Sequence, residues 1–255
     1  MSVAPPVTVV DLTDPADEGL EIAAASHIGP VRKENQDAFA ATPLEGRTGI
    51  GLLLADGMGG LPGGAEAAAA AIAEAVAVLS AGDGTESSVA AAVHGANAAV
   101  GALRDGMGGR PGTTLTLVTV RERHAVIGHA GDSRAYLVRD GAASVLTSDN
   151  SWVGEQVRSG ALPPGSERRH PRRNIITMAV MGEPIQPELV HLDLNAGDVV
   201  LLCSDGFWEP LEDDQIAGLL DTPGPWTAVV ERAAAAALDA GATDNVTLLA
   251  FRVGR

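Results

Sequence analysis

Four aspartates stand at the ends of strand-like apolar runs or just before one, far apart along the chain. Asp56 closes Gly49-Ile-Gly-Leu-Leu-Leu-Ala55, and Asp132 follows Ala125-Val-Ile-Gly-His-Ala-Gly131. Asp205 ends Val199-Val-Leu-Leu-Cys-Ser204, and Asp244-Asn245 precedes Val246-Thr-Leu-Leu-Ala-Phe251. Strand ends are rigid, and neighbouring strands can carry such carboxylates to one rim of a sheet. Gathered carboxylates repel one another unless a cation neutralises them, and an all-oxygen site suits a hard ion such as Mg²⁺ or Mn²⁺. The chemistry to expect is that of a multi-carboxylate metal centre built on sheet edges.

The elements that must position these residues follow from the local pattern. Strands are expected at 49–55, 113–121, 125–131, 135–139, 190–194, 199–204 and 246–253, where β-branched and aliphatic residues alternate or run continuously between turn residues. Asp140-Gly141 suits a tight hairpin turn, since both positions tolerate positive φ. Ala-rich 64–79 predicts a helix. Further helices are expected at 86–103, with Ser87 and Ser88 as candidate caps, at 150–159 and at 226–240. Residues 105–112 read as a loop and 160–174 as an irregular excursion. Antiparallel-looking strand runs with paired helices inserted predict a layered α+β fold in one domain, residues 20–255, preceded by a loose leader or edge segment at 1–19.

Bulk composition narrows the function class. With 45% hydrophobic residues in 255 the chain can build an ordinary core, but at 3% aromatics that core must be filled by Ala, Val, Leu and Ile. A formal charge of −16 argues against nucleic acid or an anionic membrane as partner; it suits attraction of divalent cations and equally suits plain solubility. Cys203 is the only cysteine, which excludes an intramolecular disulfide and a cysteine-based zinc site; inside its apolar run it reads as a core residue. The N-terminus shows no signal-peptide pattern and no run reaches membrane-span length, so a cytoplasmic protein is expected.

Taken in order, the motifs resemble the metal-dependent serine/threonine protein phosphatases of the type 2C class, the PPM family, in its bacterial form. The matching pieces are Ser26-His-Ile-Gly-Pro-Val-Arg32 with Asn35-Gln-Asp37, Ala55-Asp-Gly-Met-Gly-Gly60, Gly112-Thr-Thr114, Gly131-Asp-Ser-Arg-Ala-Tyr136, Leu146-Thr-Ser-Asp149, Cys203-Ser-Asp-Gly206 and Asp244-Asn245. The resemblance implies a four-layer αββα sandwich, two antiparallel sheets face to face with helices outside. It implies two Mn²⁺ or Mg²⁺ ions, with Asp56 bridging them, the Gly57 carbonyl a further ligand, and Asp205 and Asp244 completing the ligand set of the second ion. A third ion would sit near Asp132 and Asp205. Arg32 would bind the substrate phosphate, a task suited to a bidentate guanidinium, and Asp37 would order water on the metal. The implied reaction is hydrolysis of phosphoserine and phosphothreonine in proteins by direct attack of a water or hydroxide bridging two cations roughly 3.5–4 Å apart. The expected partners are phosphorylated proteins, including substrates of serine/threonine kinases, and the chain is expected to act as a monomer.

Some positions stay open on sequence alone. Asp132 also fits a structural turn, and Arg32 also fits an ion pair with an acidic loop. Gly57, Gly59 and Gly60 fit close passage of the backbone beside metal and substrate, or simply a turn. Gln36 stands where many relatives carry Glu. Met58 follows the Asp-Gly where some relatives carry a histidine that protonates the leaving alcohol, so that proton is left to water or to a histidine not identifiable here; His27 and His129 read as structural. Arg168-Arg-His-Pro-Arg-Arg173 is either a flap that holds the phosphorylated segment or a solvated loop balanced by acids. The alternative to an enzyme is a pseudophosphatase that binds phosphoprotein without turnover.

Overall fold

The computed structural model describes residues 5–14, 19–47, 49–58, 63–107 and 110–254. The chain runs through β1 (Thr8–Asp11), β2 (Leu20–His27), β3 (Asp37–Pro43), β4 (Ile50–Asp56), α1 (Gly64–Ser80), α2 (Glu86–Met107), β5 (Leu115–Arg121) and β6 (His124–Ala130). It continues with β7 (Arg134–Arg139), β8 (Ala142–Val145), α3 (Trp152–Arg158), β9 (Glu188–Asp193), β10 (Val199–Cys203), α4 (Asp205–Trp208), α5 (Asp213–Leu220), α6 (Trp226–Asp239) and β11 (Val246–Val253). One antiparallel sheet has the order β1-β2-β11-β10-β7-β8 and the other β3-β4-β5-β6-β9.

Period-two alternation sorts each strand's side chains between two cores. In β4, Leu52 and Leu54, with Val118 of neighbouring β5, face the opposite sheet, where they meet Ile22, Ala24, Leu202 and Phe251. Leu53 and Ala55 face outward to Ala67, Ala71, Ala75, Val89 and Val93 of α1 and α2. In β2, Ala23 and Ala25 likewise face outward, toward Phe207, Ile216, Val230 and Ala234 of α4–α6. Three apolar layers therefore lie between four structural layers, which is the αββα sandwich. Alanine supplies much of the helical packing surface, so helices sit close to their sheets without large side chains.

The hairpin turn forms as its sequence requires, with Asp140 at φ 53° and Gly141 at φ 74°. Other boundaries differ from expectation. Helix α2 extends to Met107, past the expected loop start at 105. Ser87 and Ser88 lie inside its first turn, and Asp83 does the tying: its carboxylate accepts from the Thr85 amide (3.1 Å) and the hydroxyls of Thr85 and Ser88 (both 2.7 Å). Helices α4 and α5 fall in a stretch with no sequence expectation. No helix among the described residues is long and apolar enough to cross a membrane.

Candidate metal and phosphate site

All the predicted aspartates come from one end of the sandwich. Asp56 is the last residue of β4, and its partner in register is Asp37, the first residue of β3. Asp132 lies two residues past β6, Asp205 opens α4 directly after β10, and Asp244 stands two residues before β11. A cleft of about 230 Å³ opens on Asp56, Gly57, Asp132, Asp205, Asp244 and Arg32. Asp37 does not line it; it lies beside Asp56, where like charges directly opposite on two strands are destabilising.

The backbone at Asp56 is held by the two threonines that lead into β5. The Asp56 amide donates to the Thr114 hydroxyl (2.9 Å), and the Asp56 carbonyl accepts from the Thr114 amide and the Thr113 hydroxyl (both 2.9 Å). The Thr114 hydroxyl also pairs with Ser133 at 2.8 Å, tying the Asp132 turn to the same point. Gly57 follows in a crowded place: a Cβ there would stand 2.3 Å from the Gly64 carbonyl oxygen and 2.7 Å from that of Gln36. Only glycine lets the chain pass. Gly59 and Gly60 lie outside the described residues.

Asn245 organises the opposite rim. Its side-chain amide donates to the carbonyls of Ile28 (2.7 Å) and Glu34 (2.9 Å), and its oxygen accepts from the Gln36 amide (2.9 Å). The 28–36 loop carrying Arg32 is thus pinned beside Asp244, with which Arg32 forms an ion pair. Gln36 itself reaches Glu34 with its side-chain amide. On the third side, a buried bidentate pair joins Arg134 to Asp149 (2.8 Å for each bond). The Arg134 guanidinium stacks 3.5 Å from the Trp208 ring centre, and the Trp208 indole N–H donates to the Asp132 carbonyl at 3.0 Å.

Electrostatics mark the cluster as short of positive charge. Desolvation, reinforced by Asp37, Asp205, Asp132 and Asp244, holds the Asp56 carboxyl well above the usual range. Asp205 is raised in the same way by desolvation and by Asp132, Glu209, Asp244 and Asp37. Desolvation and Asp149 push Asp132 up to about 7. Asp37 is raised to about 6 by desolvation, despite the Ser204 hydroxyl that donates to it at 3.0 Å. One oxygen each of Asp37 and Asp205 is buried without a hydrogen-bond partner. Buried, unpaired, mutually repelling carboxylate oxygens are the donor set a hard cation satisfies. Among the described residues no three His, Cys, Asp or Glu side chains gather closely enough to wrap one ion unaided. Such an ion would take one or two carboxylates, backbone carbonyl and water, in keeping with the reluctance of Mg²⁺ to dehydrate.

Other expectations resolve away from the cleft. His27 pairs with the Pro5 carbonyl and accepts from the Gly29 amide, and His129 is buried between Thr116 and the Gly131 carbonyl. No histidine is among the described residues lining the cleft. Cys203 is buried in the core, which pushes its thiol pKa up. The basic 168–173 segment is largely neutralised. Arg168 is buried against the Trp208 carbonyl, Asp213 and Glu212; Arg169 pairs with Glu212 and Arg173 with Glu209. Arg172 stacks over Trp152. This is the loop balanced by acids, and the acids belong to the first turn of α5 and the turn between α4 and α5.

Comparison with known proteins agrees with the motifs. A family model described as Protein phosphatase 2C matches residues 25–245. The serine/threonine protein phosphatase PstP of Mycobacterium tuberculosis is 36% identical over 240 residues, which cover 90% of this chain and 44% of that protein. The chain therefore spans less than half the length of this relative. The catalytic domain of PstP solved with two manganese ions superposes with a TM-score of 0.81 at 32% identity, covering 93% of this chain and 99% of that one. Serine/threonine phosphatase Stp1 from Staphylococcus aureus gives a TM-score of 0.87 at 29% identity, covering 92% and 96%. Motif order, the two-sheet sandwich and these similarities agree: the chain belongs to the protein phosphatase 2C family.

Proposed function

We propose that this chain is a metal-dependent phosphatase acting on phosphoserine and phosphothreonine in proteins, with residues 20–255 as the catalytic unit. The observation that carries the reading is the pair of unpartnered buried oxygens on Asp37 and Asp205 within five mutually repelling aspartates. Asp56, the Gly57 carbonyl, Asp205 and Asp244 would hold two Mn²⁺ or Mg²⁺ ions, with Asp132 and Asp205 available to a third. When bound, such ions lower the pKa of water and neutralise charge on the phosphoryl oxygens.

The chain's own groups do the rest. Arg32 sits on the rim, 38% exposed, and presents a planar fork that a phosphate dianion can engage bidentately. Its pairing with Asp244 holds the guanidinium at the cleft mouth before substrate arrives. Asp37, fixed by Ser204, stands behind Asp56 as an acceptor for water. Met58 lines the cleft and has no proton to give, so the leaving alcohol draws on water. Phosphorylated proteins of the cytoplasm, including serine/threonine kinase substrates, are the partners of this reading. Retention of every motif aspartate favours turnover over a binding-only pseudophosphatase.

The test is hydrolysis of p-nitrophenyl phosphate and a phosphothreonine peptide in EDTA, Mg²⁺ or Mn²⁺, comparing wild type with Asp56→Ala. Activity should require added metal and fall by about 100-fold or more in the variant, since several kcal/mol of transition-state stabilisation is at stake. Silence of folded, metal-supplied wild type on both substrates would move the weight to the binding role.

A further inference from the structure

At the far end of the β3-β4-β5-β6-β9 sheet lies a second cluster with different chemistry. His124 opens β6, and β9 runs beside it with Asp193 opposite His124 and His191 opposite Val126. His124, Asp193 and His191 therefore share one face of the sheet, the face covered by α2, whose first residue is Glu86. His124 Nδ1 lies 3.0 Å from an Asp193 carboxylate oxygen, and His191 Nε2 lies 2.8 Å from one of Glu86. The inner nitrogens, Nε2 of His124 and Nδ1 of His191, face each other at 3.3 Å. The rings are tilted by 36° with centres 5.6 Å apart.

Hydrogen-bond logic fixes the tautomers. A carboxylate only accepts, so both outer nitrogens carry protons. With both imidazoles neutral, the two inner nitrogens then confront each other as bare lone pairs. That contact is repulsive unless something positive lies between them: one extra proton or a metal ion. Tetrahedral coordination at Zn–N distances of 2.0–2.1 Å places two nitrogens about 3.3–3.4 Å apart, the separation already present. Each ring also has the carboxylate partner on its other nitrogen that orients metal-binding histidines.

We propose that His124 and His191 form a two-histidine site for a borderline divalent transition ion of the Zn²⁺ type, with Asp193 and Glu86 orienting the ligands. No third His, Cys, Asp or Glu among the described residues completes the set, so water fills the remaining positions. The site opens on a cavity of about 690 Å³ that Arg121 and Glu122 also line, giving the bound ion solvent access. Glu86, Glu122 and Asp193 outnumber Arg121, which favours a cation. Imidazole selects Zn²⁺, Ni²⁺ or Cu²⁺ over the hard ions suited to the carboxylate cleft. The two sites are separated by the length of β6, roughly 20 Å at about 3.4 Å per residue. An ion here would link β6 and β9 and, through Glu86, brace the start of α2.

The experiment is calorimetric titration of Zn²⁺ in saturating Mg²⁺, which competes for oxygen sites and poorly for imidazole, with ring signals of the histidines followed by NMR. Wild type should bind one equivalent of Zn²⁺ at this site and shift the His124 and His191 signals. His124→Ala and His191→Ala should each weaken that binding at least tenfold, and the double variant should abolish it. Asp193→Asn, which keeps both ligands, should weaken it by about tenfold. All these side chains are about half exposed or more, and melting curves in EDTA confirm that each variant folds. An unchanged isotherm in the double variant overturns the proposal. So does absence of Zn²⁺ binding by wild type, or binding confined to the catalytic cleft with both ring signals unmoved.

Discussion

Asn245 holds the carbonyls of Ile28 and Glu34 with its amide and accepts the Gln36 amide, and the loop so pinned is the one that carries Arg32. Asn245→Asp preserves the shape but removes two donors and turns an anionic oxygen toward a carbonyl. Leaving buried acceptors unsatisfied costs about 1–3 kcal/mol each, so urea midpoints should fall by an amount on that order. Activity on p-nitrophenyl phosphate should fall by more than tenfold, with KM rising as Arg32 loses its fixed position. A variant of wild-type KM and lowered stability would show that Asn245 only supports the fold. The sequence made the aspartates legible because each sits at the end of an apolar run or just before one, and together they follow one family order. It placed Thr114, Ser204 and Asn245 in motifs but hid what they hold. Thr114, Ser204 and Asn245 meet their partners across 58, 167 and 209 residues, and a polar side chain whose partner is that distant looks like any other turn or strand residue. The arginines of 168–173 are ambiguous for the same reason, since their acids stand between α4 and α5 and at the start of α5.

Among the elements, those with sustained periodicity were readable: α1, α6 and the central strands β4, β6, β10 and β11. Helix α4, four residues long, offers no period to detect. Helix α5 begins after Glu212, whose amide donates to the Gln215 side chain, and not at one of the usual short polar caps. The start of α2 at Glu86 agrees with the pattern, but its cap does not: Ser87 and Ser88 resemble caps, while Asp83 ties the turn from outside the helix. Those three hydrogen bonds hold the Asp83 carboxyl down at about 2. A carboxyl whose folded-state pKa is lowered contributes stability above its unfolded value, near 3.8, and loses it as the pH falls through about 2. Asp83→Ala should therefore lower the melting temperature by a few degrees at pH 7, and the deficit should shrink between about pH 4 and pH 2. Paired melting curves at pH 7 and pH 3 check this. A deficit that is constant with pH would assign the loss to backbone freedom in the Gly82–Gly84 turn and not to the carboxylate.

For the whole molecule, which strand neighbours which was the least legible feature. β10 lies between β7 and β11, and β2 between β1 and β11, pairings that no local pattern announces. That topology brings five carboxylates to one end of a protein whose formal charge is already −16. Function and stability therefore oppose each other there: the charges that would hold cations strain the metal-free fold. In EDTA, Asp56→Asn removes a carboxyl whose ionisation burial and its acidic neighbours oppose, and should melt above wild type. Adding Mn²⁺ or Mg²⁺ should reverse the order. An ion that binds only the folded state stabilises it by about 2.7 kcal/mol at 100 times its Kd, which for a chain of this size raises the melting temperature by about 5–10 °C. Wild type should show that rise, and Asp56→Asn should lose most of it. Sodium chloride at matched ionic strength screens surface charge without filling the cleft, and should reproduce little of the effect. An equal Mn²⁺ response in both proteins would mean that the ion binds elsewhere, and an equal response to sodium chloride would mean that screening alone accounts for it.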